Sequence, residues 1–142
     1  MGEPTNPKAL AADLLAAVQL LARDAVASAM AAGTAPGTVG VTLAPRLADT
    51  AAAELMDVQR VAARIVSLGG SPSVTVKKLE PPEEGDATLR WLAAMQREAN
   101  DAVVEAIPAD ADDAEGEATE HLLEHIVARK RDVIEMLERA VR

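Results

Sequence analysis

A chain of 142 residues has the length of one domain and can bury one substantial core. Its formal net charge of −9 disfavours direct contact with nucleic acid and favours cationic partners or metal ions. Cysteine is absent, which excludes disulfides, thiolate catalysis and iron–sulfur or cysteine-type zinc sites.

The apolar content rests on Ala, Leu and Val, with one Trp and no Phe or Tyr, so a core must be assembled from small aliphatic groups. Close-packed helices do that best. The start, MGEPTNPKAL, lacks the basic residues and apolar run of a signal peptide, and no continuous stretch of about 18 apolar residues is available for a membrane span. The expectation is a soluble, cytoplasmic protein with no membrane or nucleic-acid partner.

Four helices are predicted. The first runs from about Pro7 to Ala32, capped by Asn6 and carrying Leu10, Leu14, Ala17, Leu21 and Ala25 on one face. The stretch GTAPGTVGVTLAP reads as the loop that ends it. The second helix is expected from near Pro45 to the Gly69-Gly70 pair, with Pro72 as a further stop signal. Its apolar stripe is Leu47, Ala51, Val58, Val61, Ile65 and Leu68, and Glu54 occupies the missing step. SPSVTVKKLEPPEEG is too Pro-interrupted for a helix and reads as a long crossover, with a short extended piece at Ser73 to Lys77. The third helix opens at Asp86 as N-cap and carries Leu89, Leu92, Gln96, Ala99 and Val103 inward. The fourth is expected from about Asp110 to Val141, acids near its start and Arg or Lys in its second half, as the helix dipole favours. The fold class is therefore all-α, one four-helix bundle domain over residues 1–142.

Each helix carries polar residues on or beside its stripe: Asp13 on the first, Glu54 and Asp57 on the second, Gln96 on the third, Arg129 and Asp132 on the fourth. Each could be a boundary residue reaching water. Glu54 is different, since an ionised group buried without a partner is costly and needs a metal, a cation or a proton.

ELMDVQRVAARIVSLGGSP resembles the second helix of the bacterioferritins in the ferritin-like superfamily, where a Glu-x-x-His pair precedes an Arg-Ile-x-x-Leu-Gly-Gly-x-Pro type ending. LRWLAAMQREANDAVVEAI is similar to the family's third helix and HLLEHIVARKRDVIEMLERA to its fourth, so the resemblance runs from Leu10 to Ala140. It implies a ferritin-like bundle with a long crossover between helices 2 and 3, homo-oligomeric as a dimer or larger, and linked to iron or another metal. Laid on the family's di-iron ligands, Glu54 matches, Asp13 stands for the first-helix Glu, Asp57 and Asp132 for the two histidines, Gln96 for the third-helix Glu and Arg129 for the fourth-helix Glu.

These substitutions make ferroxidase activity by the family mechanism doubtful, since Gln96 cannot bridge metals as an anion and Arg129 brings in a positive charge. The methionine that binds haem in the family is replaced by Leu55, with Met56 on another face, so no haem is expected. The family's buried tyrosine is missing as well, and its short fifth helix is not expected. Two readings follow. In one, Arg129 replaces the metals and neutralises Asp13, Glu54, Asp57 and Asp132, giving a non-catalytic scaffold or interaction protein. In the other, one divalent ion, Fe or Mn, stays on the carboxylates with Arg129 turned outward. His121 and His125, four apart, form a possible second metal site or simply a solvated helix face. No phosphate loop or nucleophile triad has a recognisable context.

Overall fold

The computed structural model describes residues 6–109 and 113–141. They form α1 (Pro7–Thr34), α2 (Gly37–Ser67), α3 (Gly85–Ala106) and α4 (Ala114–Ala140), with no strand among the described residues.

The caps explain most of the boundaries. The Asn6 side chain accepts from the backbone N–H groups of Lys8 and Ala9 at 3.1 and 3.2 Å, and Pro7 stands at the first helical position, where no intrahelical donor is lost. α2 ends in a Schellman motif: Gly69, at φ +87°, donates to the Val66 carbonyl and Gly70 to that of Ile65, both at 2.9 Å. The Asp113 carboxylate accepts from the Gly116 N–H at 2.7 Å to start α4, with Glu115 and Glu117 in the first turn and Arg139 in the last. The expected start at Asp110 lies outside the described residues.

Two expectations are corrected. Only Ala35 and Pro36 separate α1 from α2, so the stretch expected as a loop is largely helical and Pro45 lies inside α2. Proline there leaves the Val41 carbonyl without its intrahelical donor; Val41 is 84% exposed, so water can satisfy it. Gly40 permits the tight junction, since a Cβ there would lie 2.0 Å from the Ala35 carbonyl oxygen. At α3, Glu84 rather than Asp86 is the N-cap, and Asp86 sits in the first turn.

The link from Ser67 to Gly85 travels the length of α1. Gly70 lies against Ala11, Thr75 exchanges hydrogen bonds with the Gln19 side chain (Thr75 N–H to Oε1, 2.9 Å), and Gly85 meets Val39. α3 therefore begins at the end where α1 turns into α2. The piece at Ser73 to Lys77 is irregular and exposed.

α1 packs most extensively on α2, then α3 on α4 and α1 on α3, while the α2–α4 seam is thin. α1 is long and apolar enough to cross a bilayer by length and composition, but half of that window is buried in the bundle, as in a core helix. The core falls into two clusters. One joins Leu14, Leu21, Val61, Ile65, Val103 and Ile126; the other joins Ala27, Leu47, Leu89, Leu92, Val133 and Leu137.

Gly40→Ala should lower the midpoint of thermal unfolding, followed by circular dichroism, far more than Gly33→Ala, whose added methyl meets nothing within 4 Å. The expected cost at Gly40 is about 1–3 kcal/mol, as for other substitutions that force a backbone shift.

Candidate functional site

Between the two apolar clusters lies one polar layer drawn from all four helices: Asp24 and Ser28 from α1, Glu54 from α2, Gln96 from α3 and Lys130 from α4, all buried. Each sits on its helix's apolar stripe, so the periodicity that buries the neighbouring leucines and valines carries these groups inward too.

Lys130 is the hub. Its side chain is 2% exposed, and its Nζ donates to Asp24 Oδ2 at 2.8 Å, Gln96 Oε1 at 2.9 Å and Glu54 Oε2 at 3.0 Å. An ammonium has three N–H groups, and all three are satisfied. Gln96 accepts from Lys130 and donates through Nε2 to Glu54 Oε2 at 2.9 Å, a double role that a carboxylate could not fill. The Ser28 hydroxyl donates to Glu54 Oε1 at 3.0 Å. On the outer side of Asp24, the Arg23 Nε and Nη2 donate to Oδ1 at 3.2 and 3.1 Å, while Nη1 reaches Glu98 at 2.7 Å. Two buried carboxylates, Asp24 and Glu54, thus share the Lys130 ammonium, and Asp24 also meets Arg23, which pairs with the exposed Glu98.

Burial dominates the titration of Asp24 and, with the nearby Glu54 charge, lifts its pKa from the usual 3.8 to about 6 against the opposing pull of Lys130 and Arg23.

The sequence-predicted residues divide. Glu54 and Gln96 are in the layer. Asp13 and Asp132 are exposed, and the acid that α1 brings to Glu54's level is Asp24. The Arg129 guanidinium pairs with Asp57, is 34% exposed and has no bond to Glu54, so the cation expected from Arg129 is supplied by the next residue. Asp57, itself buried, also has Arg60 at 3.7 Å. His121 and His125 are exposed. Among the described residues, no group of three or more His, Cys, Asp or Glu side chains is placed to hold a metal ion.

The missed residues had a signal. Asp24 continues the series Leu10, Leu14, Ala17, Leu21, and Lys130 continues Leu123, Ile126 or Val127, with Val133 and Leu137 beyond it. Both break an apolar stripe at the step that Glu54 breaks on α2.

Lys130→Met should destabilise the fold by about 3–5 kcal/mol in urea unfolding, because two buried carboxylates lose their shared cation. Asp24 also imposes a pH dependence. Its folded pKa lies above its unfolded value, so its contribution to stability is complete below about pH 4 and is lost as pH rises through about 6. The stability of Asp24→Asn relative to wild type should therefore rise between pH 4 and pH 7, by on the order of 2 kcal/mol. A flat difference in paired urea titrations would contradict this.

Comparison with known proteins agrees with the architecture. The family model described as "Ferritin-like domain" matches residues 10–142. A solved structure of a ferritin-like, diiron-carboxylate protein from Bacillus anthracis str. Ames superposes with a TM-score of 0.86 at 18% identity, covering 99% of this chain and 100% of that one. A dodecameric thioferritin, the bacterioferritin-related protein from Bacteroides fragilis, superposes at 0.83 with 17% identity, covering 94% of this chain and 84% of the other. A search of curated protein sequences finds no match. A bundle of four helices with a long link between the second and third, matched along nearly its whole length by that model, belongs to the ferritin-like domain family.

Proposed function

We propose that this chain is a non-oxidising ferritin-like subunit: a single-domain helical scaffold that self-associates and holds an internal ammonium at the level of the bundle where the resemblance implies metals. The observation that supports this most directly is the contact of Lys130 Nζ with Asp24, Glu54 and Gln96, all within 3.0 Å.

A diiron centre does not fit that donor set. Two carboxylates and a neutral amide supply too little negative charge to bridge a pair of metal ions, and a bound cation would have to displace the Lys130 ammonium from its three acceptors. The same reasoning weighs against one Fe or Mn ion on Asp13, Glu54, Asp57, Gln96 and Asp132, since Asp13 and Asp132 lie at the surface and Asp57 is engaged by Arg129. The internal salt-bridge reading keeps the expected exchange of metal for a side-chain cation and moves it from Arg129 to Lys130.

Self-association is supported by exposed apolar residues, among them Leu55, Met56 and Val66 on α2, and by the printed description of the Bacteroides relative as dodecameric. A cytoplasmic location belongs to the same proposal and rests on the family alone, and the charge of −9 argues against a nucleic-acid partner.

Purified protein should contain no stoichiometric iron or manganese and should oxidise ferrous iron no faster than buffer. Its thermal midpoint should not move on adding Mn²⁺, because a ligand bound only by the native state stabilises it in proportion to occupancy. One metal per chain, or a metal-dependent rise in midpoint that Glu54→Gln abolishes, would overturn the proposal. Light scattering on the size-exclusion peak should give a mass above that of the 14.8 kDa chain.

A further inference from the structure

On the thin α2–α4 seam a cavity of about 310 Å³ is lined by Asp57, Arg60, Leu122, His125, Ile126 and Arg129. None of these residues belongs to the Lys130 layer. The buried Asp57 carboxylate needs one cation and takes it from Arg129. The Arg60 guanidinium is 3.7 Å from the same oxygen and half-exposed, a looser ion pair than the Arg129 contact. Two guanidinium groups therefore face one carboxylate, leaving one positive charge in surplus, and His125 adds a donor in either protonation state. Leu122 and the buried Ile126, on α4 with His125 and Arg129, add apolar lining.

A cation surplus in a chain of net charge −9 runs against the general field of the molecule. Guanidinium groups match the planar or tetrahedral oxygens of carboxylates and phosphates through paired N–H donors. From the two arginines, the imidazole and the apolar lining around one cavity, we infer that the α2–α4 seam binds a small organic oxyanion, its carboxylate or phosphate head on Arg60 and His125 and a short apolar body on Leu122 and Ile126.

The test is a titration of the full chain with inorganic phosphate, the head alone, and with butyrate, a head with an apolar body, against sodium chloride at matched ionic strength. Two-dimensional NMR follows the Arg60 and Arg129 Nε–H and the His125 ring. Saturable shifts at these groups, with a midpoint below about 10 mM for at least one probe and none with chloride, are expected. Saturation by butyrate alone assigns the head as a carboxylate, and saturation by phosphate alone assigns it as a phosphate. Arg60→Gln and His125→Gln should each weaken binding, the first about tenfold, with the helical circular dichroism unchanged. Asp57→Asn should tighten it, because the competing carboxylate charge is removed; a merely structural Asp57 would not produce that gain. Absence of saturable shifts with both probes, or an unchanged midpoint in Arg60→Gln, would overturn the inference.

Discussion

A primary ammonium in the middle of a helical bundle needs acceptors for its three N–H groups, or it gives up its proton or disrupts its surroundings. Lys130 finds them on three other helices, and this requirement organises the rest of the structure. The oxygens of Asp24, Glu54 and Gln96 must converge on one point, so all four helices are held at matching heights. The apolar core is divided into clusters on either side of that point. Such a layer is a poor source of net stability, because desolvating the charges offsets much of their attraction. Its value is that it distinguishes one arrangement of the helices from others that would bury leucines equally well.

A ferritin-like fold does not by itself fix the chemistry of the layer. The fold delivers one inward-pointing position per helix at a common level, and what stands there decides the rest. With Asp24, Glu54, Gln96 and Lys130 in those places, two buried carboxylates share one buried ammonium, and Arg23 links Asp24 to the exposed Glu98. Gln96 is central to that arrangement. A third carboxylate in its place would add a further buried negative charge and would remove the amide N–H that ties it to Glu54.

Most of the fold was legible because it depends on local signals: Asn6-Pro7, the Leu-Gly-Gly ending and the three-and-four spacing of apolar residues all read directly. The start of α2 was not, because Pro45 is normally a boundary and becomes tolerable only where the orphaned Val41 carbonyl faces water, which is a tertiary fact. In the site, Glu54 and Gln96 were recognisable as breaks in apolar stripes. Lys130 and Asp24 broke their stripes in the same way, but a lysine is ordinarily read as a surface residue, and the family's spacing drew attention to Arg129 and Asp13 instead. Between the adjacent Arg129 and Lys130 the choice depends on helix rotation, and between Asp13 and Asp24, about three turns apart on α1, on the axial level of the layer; packing across the bundle settles both.

The division of the layer between chain segments fixes the register of the two halves of the bundle. α1 and α2 form one hairpin around the two-residue link Ala35-Pro36, and it brings the buried Asp24 and Glu54; α3 and α4 form the other and bring Lys130. The first hairpin contributes the acids of the layer and the second its ammonium. A slip of one helical turn between them, about 5.4 Å, would seat the ammonium among leucines and valines. The crossover, pinned to Gln19 at its midpoint, is the only covalent connection between the hairpins, so the buried charge pair acts as the detent that stops their sliding.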